Sequence, residues 1–375
     1  MLNYYIYIEE EIFTMKRILS IVIAAVLACA GLAGCAGAGS ASADNAQAAD
    51  KIQVVATIFP AYDWAKEVLG EKADNVELTL LLDNGVDLHS YQPTAEDISK
   101  IAACDLFIYV GGESDEWVED VLAQATNKDM KVINMLEALG DAVKDEEIVE
   151  GMEHEHHHED GEDEDHEHEH EDGEDEDHDH DHDDEDADHD HEHEHEDEKD
   201  EHVWLSIRNA KTLCAEIALA LTDIDKANTD EYLANLNAYE EKLDALDEKY
   251  MEATKNASVK TVLFGDRFPF RYLVDDYDLE YFAAFAGCSA ETEASFETVV
   301  FLAEKVDELS LPAILTIEGD NKKLAETIRD NASNKDLPIL ELDSLQSAST
   351  ADAAKGVSYL SAMENNLETL KKAID

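Results

Sequence analysis

The chain has 375 residues, with 91 acids against 27 bases and a formal charge of -64. So negative a protein repels phosphate backbones and anionic lipid, which excludes nucleic acid and membrane surfaces as electrostatic partners. The length suits two ordinary domains or one large one. The charge is uneven: residues 153–201 hold 31 Asp/Glu and one Lys, a net of -30 in 49 positions. Fourteen of the 16 histidines fall between His154 and His195, so a site elsewhere that needs imidazole must use His89 or His202.

From Met15 the chain reads as a signal peptide. Lys16 and Arg17 precede an apolar run of 16 residues, Ile18 to Ala33. That is short of the ~20 residues a membrane span needs. The run ends Leu32-Ala33-Gly34-Cys35, which resembles a bacterial lipobox, so Cys35 is expected to be lipidated after cleavage. Residues 1–35 are therefore expected to be leader and lipoprotein signal, with 1–14 upstream of a working start at Met15. Residues 36–50, rich in Ala, Gly and Ser, are expected to tether the folded part to the extracytoplasmic face of the cell membrane. Beyond Cys29 and Cys35 only Cys104, Cys214 and Cys288 remain; none has Cys-x-x-Cys spacing, and the compartment permits one disulfide without choosing it.

From Lys51 onward short apolar strands alternate with helices. Ile52–Ile58 predicts a strand ended by Pro60, then a helix over Tyr62–Leu69 stopped at Gly70. Val76–Leu82 predicts a second strand, and Thr94 caps a helix through Ala103 with Glu96 and Asp97 in its first turn. Strands at Leu106–Val110 and Lys131–Met135 enclose a helix at Trp117–Ala125. Thr229–Asn256 has no Pro or Gly, and its Leu233, Leu236, Tyr239, Leu243, Leu246 and Tyr250 step by three and four. Strands then return at Lys260–Phe264, Glu280–Phe285, Ala313–Ile317 and Ile339–Leu342. This rhythm predicts two α/β lobes with mostly parallel sheets, 51–228 and 257–375, joined by a long rigid linking helix over 229–256. A cleft at strand C-terminal ends between such lobes is the natural binding place.

The acidic tract 153–201 cannot bury a core, having no apolar side chain beyond Ala187, and is expected to be a disordered loop of the first lobe. Its histidines are His154, His156, His157, His158, His166, His168, His170, His178, His180, His182, His189, His191, His193 and His195. Imidazole suits zinc, copper and nickel, so interleaved imidazoles and carboxylates predict many weak, exchangeable metal sites. A purely solvating insert would need acid alone. The two isolated histidines flank this insert. His89 follows the strand ending at Leu82 and precedes the helix capped by Thr94, and His202 stands where the tract rejoins folded protein. Both are expected at strand-to-helix loops as ligands of a specific site.

These residues carry a resemblance. Gly85-x-x-x-His89-x-Tyr91-x-Pro93-Thr94, Gly111-Gly112 followed by Trp117, His202-x-Trp204-Leu205 and Leu342-Asp343-Ser344-Leu345 resemble the zinc- and manganese-binding lipoproteins of bacterial metal ABC importers, over roughly 51–375. The resemblance implies a monomeric solute-binding protein with two α/β lobes on a rigid helix. It would capture zinc between the lobes for a permease and its ATPase, and it would not be an enzyme. It implies His89 and His202 as ligands from the first lobe and Asp343 as a carboxylate from the second. One departure stands out: in Phe264-Gly265-Asp266-Arg267-Phe268-Pro269-Phe270-Arg271-Tyr272, the position of the family's third ligand falls on Gly265. Asp266, one residue on, is the expected substitute, with Glu318 in reserve, since carboxylate serves zinc. A manganese or iron carrier of the same fold, and a surface metal buffer or adhesin, stay open as alternatives. A zinc hydrolase lacks support, because the chain has no His-Glu-x-x-His.

Overall fold

Two wholly parallel sheets of four strands organise the computed structural model, which describes residues 51–152, 198–289, 293–319 and 321–375. The leader, the tether, Cys35 and the tract histidines His154 to His195 lie outside the described residues. In the first lobe β1 (Ile52–Ala56), α1 (Phe59–Leu69), β2 (Val76–Leu80), α2 (Ala95–Ala103), β3 (Leu106–Tyr109), α3 (Trp117–Ala123), β4 (Lys131–Asn134) and α4 (Met135–Leu139) follow one another. The strand order is β2-β1-β3-β4. Pro60 opens α1 instead of merely ending β1, because the first turn of a helix has no use for the N–H that proline lacks. Thr94 does cap α2, and Asp97 returns the favour: Thr94 Oγ1 accepts from Asp97 N at 3.2 Å and Asp97 Oδ2 accepts from Thr94 N at 3.0 Å.

Two long helices, α5 (Ile207–Ile224) and α6 (Thr229–Asn256), lead to the second lobe. That lobe runs β5 (Thr261–Phe268), α7 (Arg271–Asp276), β6 (Glu280–Ala286), α8 (Phe296–Glu308), β7 (Ile314–Ile317), α9 (Lys323–Asn331), β8 (Ile339–Leu342), α10 (Thr350–Ala353) and α11 (Tyr359–Ile374), with strand order β6-β5-β7-β8. The linking helix keeps the bounds its pattern predicts, but its buried stripe starts at Tyr232, and Leu233 stays 38% exposed. A 3.6-residue period starting from Leu236 reaches 232 one turn earlier, and Tyr232 fits there because its hydroxyl donates to Asp225 at 2.9 Å.

The lobes are not separate bodies on a spring. The linking helix α6 packs against α1, α5 and α11, and one apolar core runs from Val54 through Leu243 to Ile374, with residues of both lobes in it. Truncating Leu243, fully buried there, would cost about 2–5 kcal/mol. A smaller core, around Leu263, Leu302, Ile314 and Ile328, lies within the second lobe. Polar bonds stitch the seam: Tyr359 N donates to Asp63 at 2.8 Å, Tyr359 OH to the Trp204 carbonyl at 2.8 Å, and Trp204 Nε1 to the Ser344 carbonyl at 2.8 Å. Cys104, Cys214 and Cys288 are free thiols, so the permitted disulfide is not made among them. No helix among the described residues is long and apolar enough to cross a membrane.

Candidate metal centre

His89 sits in a single helical turn, Leu88–Ser90, beyond the end of β2. Asp87 caps that turn, its Oδ1 accepting from His89 N at 3.0 Å, which fixes the backbone that carries the imidazole. The ring's Nδ1 lies 2.8 Å from Ser114 Oγ and 3.5 Å from Glu201 Oε2. His202 is held more firmly still. Asp200 Oδ1 accepts from both His202 N, at 2.8 Å, and His202 Nδ1, at 3.0 Å, and the ring is fully buried.

No strand precedes His202, contrary to expectation. Instead Lys199 forms an isolated antiparallel bridge with Asp145, and Asp200 N donates to the Lys144 carbonyl at 3.0 Å. Glu198 to Glu201 therefore belong to the fold and not to the tract, whose expected end at 201 moves back to 197. Asp200 and Glu201 are each only 2% exposed. Composition hid them, because they are chemically indistinguishable from the acids before them.

These contacts constrain the tautomers. A carboxylate only accepts, so Asp200 orients His202 with its proton on Nδ1, whereas the Ser114 hydroxyl can partner His89 Nδ1 in either tautomer. The two Nε2 atoms lie 3.2 Å apart, a distance that one shared hydrogen satisfies in the empty site and a metal ion would span. Burial, reinforced by His202, pushes His89 down to about 4, so the His89 ring is neutral at neutral pH and free to ligate. A tetrahedral zinc with bonds of about 2.0–2.1 Å would hold two nitrogens about 3.3 Å apart, which is the spacing found.

Cys288 is the third member. Its Sγ and the two imidazoles place one donor atom each within 4.8 Å of one another, the one such group among the described residues. Its backbone N donates to Glu146 Oε1 at 2.9 Å, tying the loop after β6 to the first lobe. Burial, then the charge of Glu146, pushes the thiol up. A cavity of about 360 Å³ opens on His89, Ser114, Glu201 and Cys288, with Glu113, Glu146 and Glu198 at its rim.

The expected carboxylates stay outside that group. Asp266 Oδ2 accepts from Ile317 N at 3.0 Å and its Oδ1 from Arg267 N at 2.8 Å. The cause is a bulge: between Phe264 and Arg267 the register of β5 on β6 shifts, and the extra residue re-aims the side chains around it. Gly265 is fixed by packing, since a Cβ there would lie 2.7 Å from Ala325 Cα on α9. Asp343 Oδ1 caps its own turn, accepting from Leu345 N at 2.8 Å, and burial raises its carboxyl. Glu318 spends both oxygens on Ser344, from N at 2.7 Å and Oγ at 2.7 Å, and burial with the Asp343 charge moves it up to about 6. Asp266, Glu318 and Ser344 line the second lobe's share of the cleft, where a cavity of about 880 Å³ also includes Asp87, Arg267 and Gln346, while Asp343 does not line it. Sequence reasoning passed over Cys288 because a thiol without a Cys-x-x-Cys partner gives no spacing to read.

Two parallel-sheet lobes on a long helix, with candidate donors from both lobes in one cleft, give the chain the two-lobed class of architecture. Residues 54–373 match the model of the family described as zinc-uptake complex component A, periplasmic (ZnuA), and the chain belongs to that family. It is 32% identical over 329 residues to the zinc-binding lipoprotein AdcA of Streptococcus pneumoniae, covering 88% of this chain and 57% of that protein. To the high-affinity zinc uptake system protein ZnuA of Bacillus subtilis it is 28% identical over 325 residues, 87% of this chain and 88% of that one. The crystal structure of the Zn(II)-bound ZnuA-like domain of S. pneumoniae AdcA matches with a TM-score of 0.61 and 27% identity, covering 87% of this chain and 99% of that domain. The chain thus spans little more than half the length of the AdcA proteins it matches.

Proposed function

We propose that this protein captures zinc as cargo between its lobes, through His89 and His202, and hands it to an ABC importer made of a permease and an ATPase. The observation that carries the reading is the pair of Nε2 atoms at 3.2 Å, each ring oriented from behind by a hydrogen bond at Nδ1. Relatives named for zinc binding and zinc uptake support it. Nitrogen donors at tetrahedral spacing favour zinc over manganese, which prefers six oxygens. Carriage requires no nucleophile, and the reading assigns the protein no catalysis.

The lobes would divide at 51–228 and 257–375 about the helix 229–256, with the tract as an accessory zinc store. Lipidation at Cys35 would hold the monomer on the outer face of the cell membrane. Zinc-dependent melting tests the site: zinc at a thousandfold excess over Kd should stabilise the protein by about 4 kcal/mol. His89→Ala and His202→Ala should each abolish that shift, and an unchanged shift in either ends the reading. The same experiment on protein lacking residues 153–197 should keep the shift, whereas a deletion reaching 201 would also remove Asp200 and Glu201. Release of Cys35→Ala from the membrane fraction tests the anchor, and zinc-limited growth of a strain lacking the protein tests delivery.

A further inference from the structure

We propose that Cys288 is a metal ligand, its thiolate completing with His89 and His202 a His₂Cys site closed on the fourth side by the carbonyl oxygen of Gln346. This inference rests on the zinc-carrier reading and names the donors that the second lobe contributes. Four independent features of the cleft lead to it.

The Cys288 sulfur and the two imidazoles have donor atoms within 4.8 Å of one another, and the sulfur comes from the loop after β6 while the imidazoles come from the other lobe. Zinc with bonds of about 2.3 Å to sulfur and about 2.0–2.1 Å to nitrogen needs donors about 3.3–3.6 Å apart, so donors within 4.8 Å have at most about 1.5 Å to close on binding. The loop is shaped for this approach: Gly287 presses against His202, where a Cβ would lie 3.2 Å from ring atoms Cε1 and Nδ1. Gln346 belongs to the turn after β8. Only with its amide turned so that the nitrogen donates to both oxygens of Asp87, at 3.0 Å each, does Gln346 have a donor facing those carboxylate oxygens, and its carbonyl oxygen then lies 3.2 Å from His202 Nε2. Finally, Glu201 Oε2 is buried with no hydrogen-bond partner and stands 3.5 Å from His89 Nδ1. A buried carboxylate oxygen left unpaired is costly on its own. Beside a divalent ion it gains a counter-charge and strengthens the His89 donor.

Binding is a proton exchange. The Cys288 S–H bond breaks, its electron pair forms the S–Zn bond, and the proton leaves through the cavity to bulk water. An imidazole ligates through a lone pair, so from neutral rings the thiol proton is the one released per ion. A thiolate with two imidazoles leaves the Zn²⁺ site with one net positive charge, which Glu201 balances. No carboxylate ligand is required, in keeping with the backbone roles of Asp266, Asp343 and Glu318.

Cobalt(II) is the probe, because thiolate ligation gives it an intense sulfur-to-metal charge-transfer band in the near ultraviolet that imidazole and carboxylate do not. The first equivalent of Co²⁺ added to the reduced full-length protein should produce this band. Cys29→Ser, Cys35→Ser, Cys104→Ser and Cys214→Ser should retain it, and Cys288→Ser should lose it. Competition with a chromophoric chelator should show Cys288→Ser weakened for Zn²⁺ by more than the 10–100-fold typical of losing a supporting residue. Cys288→His should recover most of that affinity without the band. A band that survives Cys288→Ser, or tight cobalt binding that depends on His89 and His202 but shows no band in the unaltered protein, overturns the assignment. Undiminished tight binding in His89→Ala and His202→Ala overturns the carrier site itself, a different failure read in the same titration.

Discussion

Gly287 packs so close to the imidazole of His202 that a single added carbon would crowd the ring. A Cβ at 287 would stand 2.9 Å from the Phe268 carbonyl oxygen as well as 3.2 Å from the ring. In Gly287→Ala the loop after β6 must therefore shift from the Phe268 oxygen, and the imidazole must give by a few tenths of an ångström. Metal affinity is expected to fall about 10–100-fold, as it does when a ligand's orientation is disturbed. The apo protein should still fold, since no core packing is removed. Calorimetric titration beside apo melting checks both, and wild-type affinity in the variant would show the contact to be slack.

Arg267 bridges the lobes by donating to Asp87 at 2.8 Å, and Asp87 in turn holds His89 and Gln346. Burial alone would raise the Asp87 carboxyl, but the Arg267 guanidinium and the neighbouring His89 outweigh it and hold the group below the usual carboxylate value. Arg267→Ala should therefore cost about 1–2 kcal/mol at neutral pH, discounted for a pair about a fifth exposed. A depressed carboxyl stabilises the fold above its unfolded value of 3.8, and that contribution is lost as pH falls through its lower folded value. The gap between wild type and variant should accordingly be full at pH 7 and shrink below about pH 4. Urea midpoints across that range would reveal a pH-independent gap if the bond is only packing.

Placing histidine at the glycine of β5 should not build a better site. The Cβ of Gly265→His would lie 2.7 Å from Ala325 Cα and 2.8 Å from its Cβ, so β5 and α9 must part. Overpacking of this kind costs about 1–3 kcal/mol. The variant should lose stability by that amount and gain no zinc affinity. Tighter zinc binding without destabilisation would contradict the packing seen here.

Asp63 supplies a pH response remote from the metal. It is 3% exposed and accepts from Tyr359 N, and burial moves its carboxyl up from 3.8 to about 6. A raised folded value means that the native state binds the proton more tightly. This contribution is full below pH 3.8 and is lost as pH rises through about 6. Asp63→Asn keeps an oxygen for Tyr359 and removes the titration. It should be more stable than wild type at pH 7 by up to about 3 kcal/mol, with the difference disappearing towards pH 4. Thermal melts of both proteins across that range measure it.

The alternation of strands and helices, the cap at Thr94 and the whole of α6 were legible because each is written in local periodicity or a local side chain–backbone exchange. The stripe read from sequence starts at Leu233 where the structure buries Tyr232, because three- and four-residue steps admit two starting points and only packing selects one. The cleft was harder. Histidines are rare outside the tract, so His89 and His202 could be singled out, and the resemblance supplied their roles. The bulge at Gly265-Asp266 could not be read, because it depends on the register of β5 on β6. Nor could Cys288, which approaches the histidines only because a loop of one lobe crosses to the other. Asp200 and Glu201 were concealed by their acidic neighbours.

The core shared by the two lobes decides what kind of machine this cleft can be. An apolar wall continuous from β1 to α11 closes the back of the cleft, and sliding the lobes apart there would expose it to water. Only the front, where Asp87–Arg267 and the loop of Cys288 cross, can give way. In the proposed zinc carrier, the stroke on gaining or losing an ion is therefore short. An importer reading such a carrier would find little change of outline, and would instead sense how firmly the lip of the cleft is held.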